Sequence, residues 1–341
     1  MNESSDLAAI ARALVAEGKG ILAADESTPT ITKRFQAIDL ESTEENRRAY
    51  REMLLSTEGL GEFISGVILF DETIRQKSSD GLSFPEMLRR KKIIPGIKVD
   101  KGAKALAHFE GEKVTEGLDG LRERLAEYAG LGAQFTKWRA VIKIAYGLPS
   151  QACLESNAHA LARFAALSQE AGLVPIVEPE ILMDGTHTID RCRQVTELAQ
   201  RLVFQALAEH RVVLEEMLLK PNMVIAALDC PKQATVSEVA AATLDTLRCT
   251  VPAAVPGIVF LSGGQSDLLA TQHLNALNQL DPAPWQLSFS YGRALQAPAL
   301  KAWNGKNVVA GQSALLHRAR CNSAARHGNY SEEMETERMA A

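Results

Sequence analysis

The chain has 341 residues, enough for one large α/β domain or two ordinary ones. Hydrophobic residues make up 46% and charged residues 23%, the balance of a globular enzyme rather than of a disordered or fibrous chain. The net charge is −5 with no long block of one sign, which argues against nucleic acid as a partner but leaves room for a local basic pocket that takes a phosphorylated small molecule.

From the N-terminus, MNESSDLAAIARALVAEGKG predicts an amphipathic helix. Leu7, Ile10, Leu14 and Val15 share a face, Ser4 or Ser5 can cap the start, and Gly18 can end it. Its early acid and lack of a continuous apolar core exclude a signal peptide, and no apolar run is long enough to span a bilayer. Eight apolar segments then recur. They are GILAADE (20–26), ISGVILFDE (64–72), IIPGIKVD (93–100), FTKWRAVIKI (135–144), LVPIVEPEIL (173–182), LLKPNMVI (218–225), GIVFLSGG (257–264) and LSFSYGR (287–293). Their starts lie roughly 30 to 45 residues apart, which leaves room for a helix after each strand. Ser42-Thr-Glu-Glu45 fits a capping box before one such helix, and the runs ending at Gly172, at His210 and near Leu247 have helical periodicity.

This alternation predicts a single domain over residues 1–341: a closed (β/α)8 TIM barrel with an N-terminal helical extension and a polar C-terminal tail, SEEMETERMAA, expected to be mobile. A doubly wound sheet is the alternative. It usually carries a glycine-rich loop after its first strand, and ILAADES is not one.

A barrel of this kind places its active site at the carboxyl ends of its strands. Those ends carry Asp25 and Glu26, Asp71, Lys98, Lys137 and Arg139, Glu178 and Glu180, Lys220, Ser262 and Arg293. Side chains alternate along a strand, so Lys137 and Arg139 share one face, as do Glu178 and Glu180. Any one of these charges reads most simply as a solvated strand end. Converging on one mouth, they read as a site. Pro221 biases Lys220 towards extended backbone at a strand end. An amine in a dry pocket, beside Lys137 and Arg139, loses its proton more easily and becomes a nucleophile towards carbonyls. Glu178 can move protons to and from oxygen, and Asp25 can act as base on a hydroxyl. The iminium is the electron sink, so neither metal nor cofactor is required.

Two anion grips are also expected. Ser262-Gly263-Gly264 follows the seventh strand and Tyr291-Gly292-Arg293 the eighth, a recurrent phosphate site in such barrels. A second grip lies near Lys98, Ser27 and Thr30, with Lys33 and Arg34 close by. Five cysteines without a CxxC pair suggest neither a disulfide framework nor a zinc site, and the seven histidines show no paired metal spacing. Trp138, Trp285 and Trp303 are read as packing residues.

The stretches GKGILAADEST, STEENRRAYREML, GVILFDET, GIKVDKG, KWRAVIKI, VPIVEPEILMDG, LLKPNMV, FLSGGQS and LSFSYGRALQ are long, ordered and specific. On them the chain resembles the class I, Schiff-base-forming fructose-bisphosphate aldolases along nearly its whole length. The resemblance implies reversible cleavage of fructose 1,6-bisphosphate to dihydroxyacetone phosphate and glyceraldehyde 3-phosphate in glycolysis and gluconeogenesis. It makes Lys220 the Schiff-base lysine, Asp25 the group acting on the hydroxyl, and Glu178 the carrier of carbinolamine protons. Glu180 supports the site and Lys137 stabilises charge beside the imine. Ser262, Gly263 and Arg293, with Ser290 and Gly292 beside them, are implied ligands of the ketone-half phosphate. Lys98 and Ser27 are implied ligands of the other, and Arg139 lines the same mouth. A cytoplasmic homotetramer without membrane partners is implied too.

This chain departs from the family pattern in three places. Glu216 stands where glycine is usual, Pro29-Thr30 replaces Gly-Ser near the distal phosphate, and the last tyrosine is Tyr330 rather than a terminal one. The last departure assigns enamine protonation to another acid, Glu178 or water. The rival expectations are another Schiff-base sugar-phosphate aldolase, a transaldolase-like enzyme, or a silent binding protein on this scaffold.

Overall fold

The computed structural model describes residues 4–336. Its strands are β1 (Gly20–Ala24), β2 (Ile64–Leu69), β3 (Ile94–Lys98), β4 (Ala103–Ala105), β5 (Lys113–Thr115), β6 (Phe135–Ile142), β7 (Val174–Ile181), β8 (Leu218–Leu219), β9 (Gly257–Phe260) and β10 (Gln286–Tyr291). A closed parallel barrel runs β1-β2-β3-β6-β7-β8-β9-β10 and returns to β1. The eight predicted segments each supply one of its strands. The antiparallel pair β4–β5 lies in the β3–β6 connection and is an addition that strand alternation does not foresee.

Helices fill the connections on the outside. Gln151–Glu170, Ile189–Glu209 and Asp267–Gln279 begin at Ser150, Thr188 and Ser266, whose hydroxyls accept from backbone N–H groups three residues on. Val236–Thr250 begins at a full capping box between Thr235 and Glu238. The box expected at Ser42 is displaced by one residue. Thr43 caps Glu44–Ser56 by accepting from Asn46 N–H, Ser42 instead accepts from Thr32, and Glu45 pairs with Arg48.

The amino end of the barrel is apolar and tightly filled. Leu7, Ala11, Leu14 and Val15 on or just after the helix Ser4–Leu14 pack against Ile21, Phe135, Val174, Leu218 and Val259 from the strands. The Phe135 ring occupies the barrel axis because Gly96 and Gly66 face it. A Cβ on Gly96 would sit 2.3 Å from the ring. The expected caps Ser4 and Ser5 have side chains outside the described set.

β8 is far shorter than the segment 218–225 suggests. Lys220 still donates its N–H to Val177 O at 2.8 Å, but Pro221 has no N–H and the ladder stops there. Asn222 takes over with its side chain, accepting from Ile181 N–H at 3.0 Å. Of the expected polar tail, residues 337–341 lie outside the described residues, and the part before them is folded back. Residues 332–335 form a 3-10 turn, and Glu335 pairs with Arg318 and accepts from the Tyr330 hydroxyl.

Candidate active site

The carboxyl ends of the strands open into one cleft of about 1300 Å³. All fourteen residues predicted for the site from Asp25 to Arg293 line it. Lys220 stands immediately after β8 and is only 3% exposed. Its Nζ lies 3.3 Å from Glu178 Oε1. Glu178 Oε2 lies 3.2 Å from Lys137 Nζ, which reaches Asp25 Oδ2 at 2.6 Å. The four groups form a chain, Lys220–Glu178–Lys137–Asp25, with β1, β6, β7 and the end of β8 supplying one member each.

Strand alternation explains the convergence. Lys137 and Arg139 on β6 stand beside Ile176 and Glu178 on β7 in register. Both faces expected to share a direction do so: Arg139 pairs with Glu180, and Lys137 with Glu178. Trp138, between the two cations, points outward and stacks on Phe164 at 5.7 Å.

The electrostatics separate the two lysines. Burial pushes the Lys220 pKa down, and the Lys137 charge adds to that, against the opposing pull of Glu178 and Asp25. Burial also disfavours the Lys137 ammonium, but Asp25 and Glu178 overcome it and raise that pKa above the usual lysine range. Burial would raise Asp25 and Glu178. The neighbouring lysines outweigh it and hold both carboxyls below the carboxylate range. The like-charge effect expected from Lys137 on Lys220 is present but second to dehydration, and Arg139 is spent on Glu180.

The walls of the cleft carry the residues expected to grip anions. At the first expected grip, Ser262 and Gly263 follow β9, and Gly292 and Arg293 follow β10 at the start of the helix Arg293–Trp303. A Cβ on Gly263 would lie 3.0 Å from Glu180 Oε1, so a side chain there would crowd the Glu180 carboxylate. Ser290 is 1% exposed and its hydroxyl has no hydrogen-bond partner among the described residues, while Arg293 is exposed. Gln265, just beyond this loop, accepts at 2.7 Å from the ring of buried His273. At the second, Ser27 and Thr30 hydroxyls are 3.2 Å apart at the start of the helix Thr28–Gln36, with Pro29 in its first turn. Lys98 Nζ is held by Asp100 at 2.5 Å.

The geometry is a buried amine of lowered basicity among two anionic carboxylates and a persistent ammonium, in a cleft with polar walls. The family model described as "Fructose-bisphosphate aldolase class-I" matches residues 6–341. The chain belongs to the class I fructose-bisphosphate aldolases. It is 58% identical to a probable class 1 fructose-bisphosphate aldolase of Xanthomonas campestris, over 95% of this chain and 98% of that one. It is 55% identical to the fructose-bisphosphate aldolase of Dictyostelium discoideum, over 98% and 95%. Among solved structures, the Plasmodium falciparum fructose-bisphosphate aldolase, in a complex with TRAP and a small-molecule inhibitor, superposes with a TM-score of 0.95 at 51% identity, covering 96% of each chain. This aldolase is thus a carbon–carbon lyase with a glycolytic role that acts on phosphorylated sugars.

In and behind the aldolase cleft, some residues escape the sequence reading, and others named by it take different places. Glu26 borders the cleft, with its carboxylate taken up by neighbouring groups. It pairs with Arg34 and, at 2.6 Å, with the buried Arg51, and accepts from Gln296 at 2.7 Å. Gln296 in turn accepts from the Tyr50 hydroxyl at 3.0 Å. Arg34 is placed beside Gly292, between the two grips rather than at the distal one alone. Asp100 bonds Lys98, Gly102 N–H and Arg139 N–H. Its signal was the alternation Lys98-x-Asp100 at a strand end; Arg51 and Gln296 lie on helices and gave none. Asp71 sits on the rim, tied to Arg75 and Tyr128. Glu216 lies below the site in the 3-10 turn Leu214–Glu216 and does not line the cleft.

Among the described residues no helix is long and apolar enough to cross a membrane.

Proposed function

We propose that the aldolase cleaves fructose 1,6-bisphosphate through a Schiff base on Lys220. The observation that carries this reading is the buried Lys220 amine, lowered in basicity and 3.3 Å from Glu178. The neutral amine adds to the ketone carbon, and the carbonyl oxygen takes a proton. Glu178 collects the proton released by the amine and returns it to the departing hydroxyl, so water leaves and an iminium remains. Asp25 removes the proton from the hydroxyl two carbons from the iminium. The bond from that hydroxyl-bearing carbon to the carbon next to the iminium breaks, its electrons form the enamine double bond as the iminium nitrogen is neutralised, and the aldehyde half departs as glyceraldehyde 3-phosphate. The enamine then takes a proton on carbon, and water hydrolyses the resulting imine to release dihydroxyacetone phosphate.

Lys137 stays charged throughout, held so by Asp25 and Glu178, and stabilises the anionic oxygens. Glu180 keeps Arg139 in the mouth. Ser262, Gly263, Ser290, Gly292 and Arg293 take the ketone-half phosphate; Ser27, Thr30 and Lys98 take the other. No step draws on a metal. The chain acts as a single domain and assembles as a cytoplasmic homotetramer, a reading supported by its kinship alone. Borohydride reduction in the presence of substrate tests the covalent step, and activity on mono- against bisphosphate ketoses tests the second grip. Equal kcat/KM for both would argue for a one-phosphate aldolase instead.

A further inference from the structure

We propose that His317, Cys321 and Glu335 form a binding site for a zinc-type divalent cation outside the barrel, pinning the segment after Asn329 to the helix Val308–Arg326. Counting histidines alone passes over this set, because its helical pair is His317-x-x-x-Cys321, one turn apart on one face. The fold supplies the third donor from the docked tail. His317 Nε2 is 3.7 Å from Cys321 Sγ and 3.5 Å from Glu335 Oε2, and the three donor atoms all lie within 4.8 Å of one another. Donors bound tetrahedrally to zinc at their usual bond lengths lie about 3.3–3.8 Å apart, so the cluster needs only a small contraction. One thiolate, one imidazole and one carboxylate is a borderline-soft set that favours zinc over magnesium or calcium.

The surroundings are those of a supported ligand. Arg318 Nη1 lies 2.6 Å from Glu335 Oε2, and the Tyr330 hydroxyl donates to Oε1 at 2.8 Å, so the carboxylate is oriented before any ion arrives. Cys321 is 1% exposed, which shelters the sulfur, while His317 is partly exposed to solvent. Binding exchanges the thiol proton for the metal and releases one proton to solvent. None of the three residues lines the catalytic cleft. The ion cross-links tail and helix and takes no part in aldol chemistry.

The test uses the full-length protein, stripped of metal, in a Cys249→Ser background that removes the exposed thiol. Titration with cobalt(II) should give a saturable thiolate-to-metal charge-transfer band at one ion per chain, reversed by zinc. Cys321→Ser should abolish the band, and His317→Ala should weaken cobalt binding by more than about tenfold. Aldolase turnover of both variants should match the parent, which confirms folding, and zinc should raise the Tm of the parent only. A band that survives Cys321→Ser, an unchanged affinity in His317→Ala, or no band in the parent would overturn the proposal.

Discussion

The two ends of the barrel are built on opposite rules. At the amino end, Phe135, Leu14, Val174 and Leu218 interlock with no charge among them, and glycines on β2 and β3 let the ring sit on the axis. At the carboxyl end, two lysines and Glu178 are buried together beside the half-buried Asp25, with Glu26 and Arg51 behind them. Burying charge costs free energy unless it is paired, and here the pairing is deliberately incomplete. Lys137 has two carboxylate partners, whereas Lys220 shares one of them. The difference is what leaves Lys220 the weaker base. One end of the sheet holds the fold closed, and the other spends part of that stability on chemistry.

Substitutions separate the two ends. Lys220→Ala should remove covalent trapping altogether and lower kcat by several orders of magnitude while leaving Tm almost unchanged; urea unfolding beside steady-state kinetics checks both halves. Phe135→Ala does the reverse. It opens a cavity under Gly66 and Gly96 and should cost about 3–5 kcal/mol of stability, with KM little altered in whatever fraction stays folded. Lys137→Met should lower kcat by about 10²–10³, since it removes a positioned charge from the reacting centre. It should also let the Asp25 and Glu178 pKa values rise, visible as an acid limb of the kcat profile moved to higher pH.

How much of this was legible beforehand follows the same division. The eight strands and the cleft residues could be read because strand alternation puts Lys137 with Arg139 and Glu178 with Glu180 on one side, and the register preserves it. At β8 the proline already marks Lys220 as a strand end, and the ladder does stop there; the apolar run to Ile225 does not reveal that the Asn222 side chain takes over. The Ser42 cap was off by one because Ser42 and Thr43 are equally suited to the role. The support behind Glu26 was invisible: Tyr50 and Gln296 are 246 residues apart, and nothing local signals their contact.

Two smaller effects sharpen the contrast. Arg293→Ala should raise KM for phosphate-bearing ketoses by about tenfold or more and spare kcat, since its exposed side chain lines the cleft at the proposed phosphate grip. An unchanged KM would remove it from the grip. His273 lies between the two regimes, buried beside the Gln265 that ends the Ser262–Gly264 loop. Burial pushes its pKa down to about 4. The unfolded chain therefore binds more protons than the folded one between that value and the ordinary histidine range, and stability falls as pH drops from about 6.5 towards 4, by up to about 3 kcal/mol. His273→Gln should flatten that part of the stability curve in urea titrations.

The most direct measurement is borohydride reduction of the aldolase with dihydroxyacetone phosphate, followed by peptide mass mapping. The three-carbon adduct should appear on the peptide carrying Lys220 and on no other, and Lys220→Ala should remain unlabelled. An adduct on Lys137, or full turnover with no adduct on either lysine, would contradict the assignment of the buried, weakly basic amine as the nucleophile.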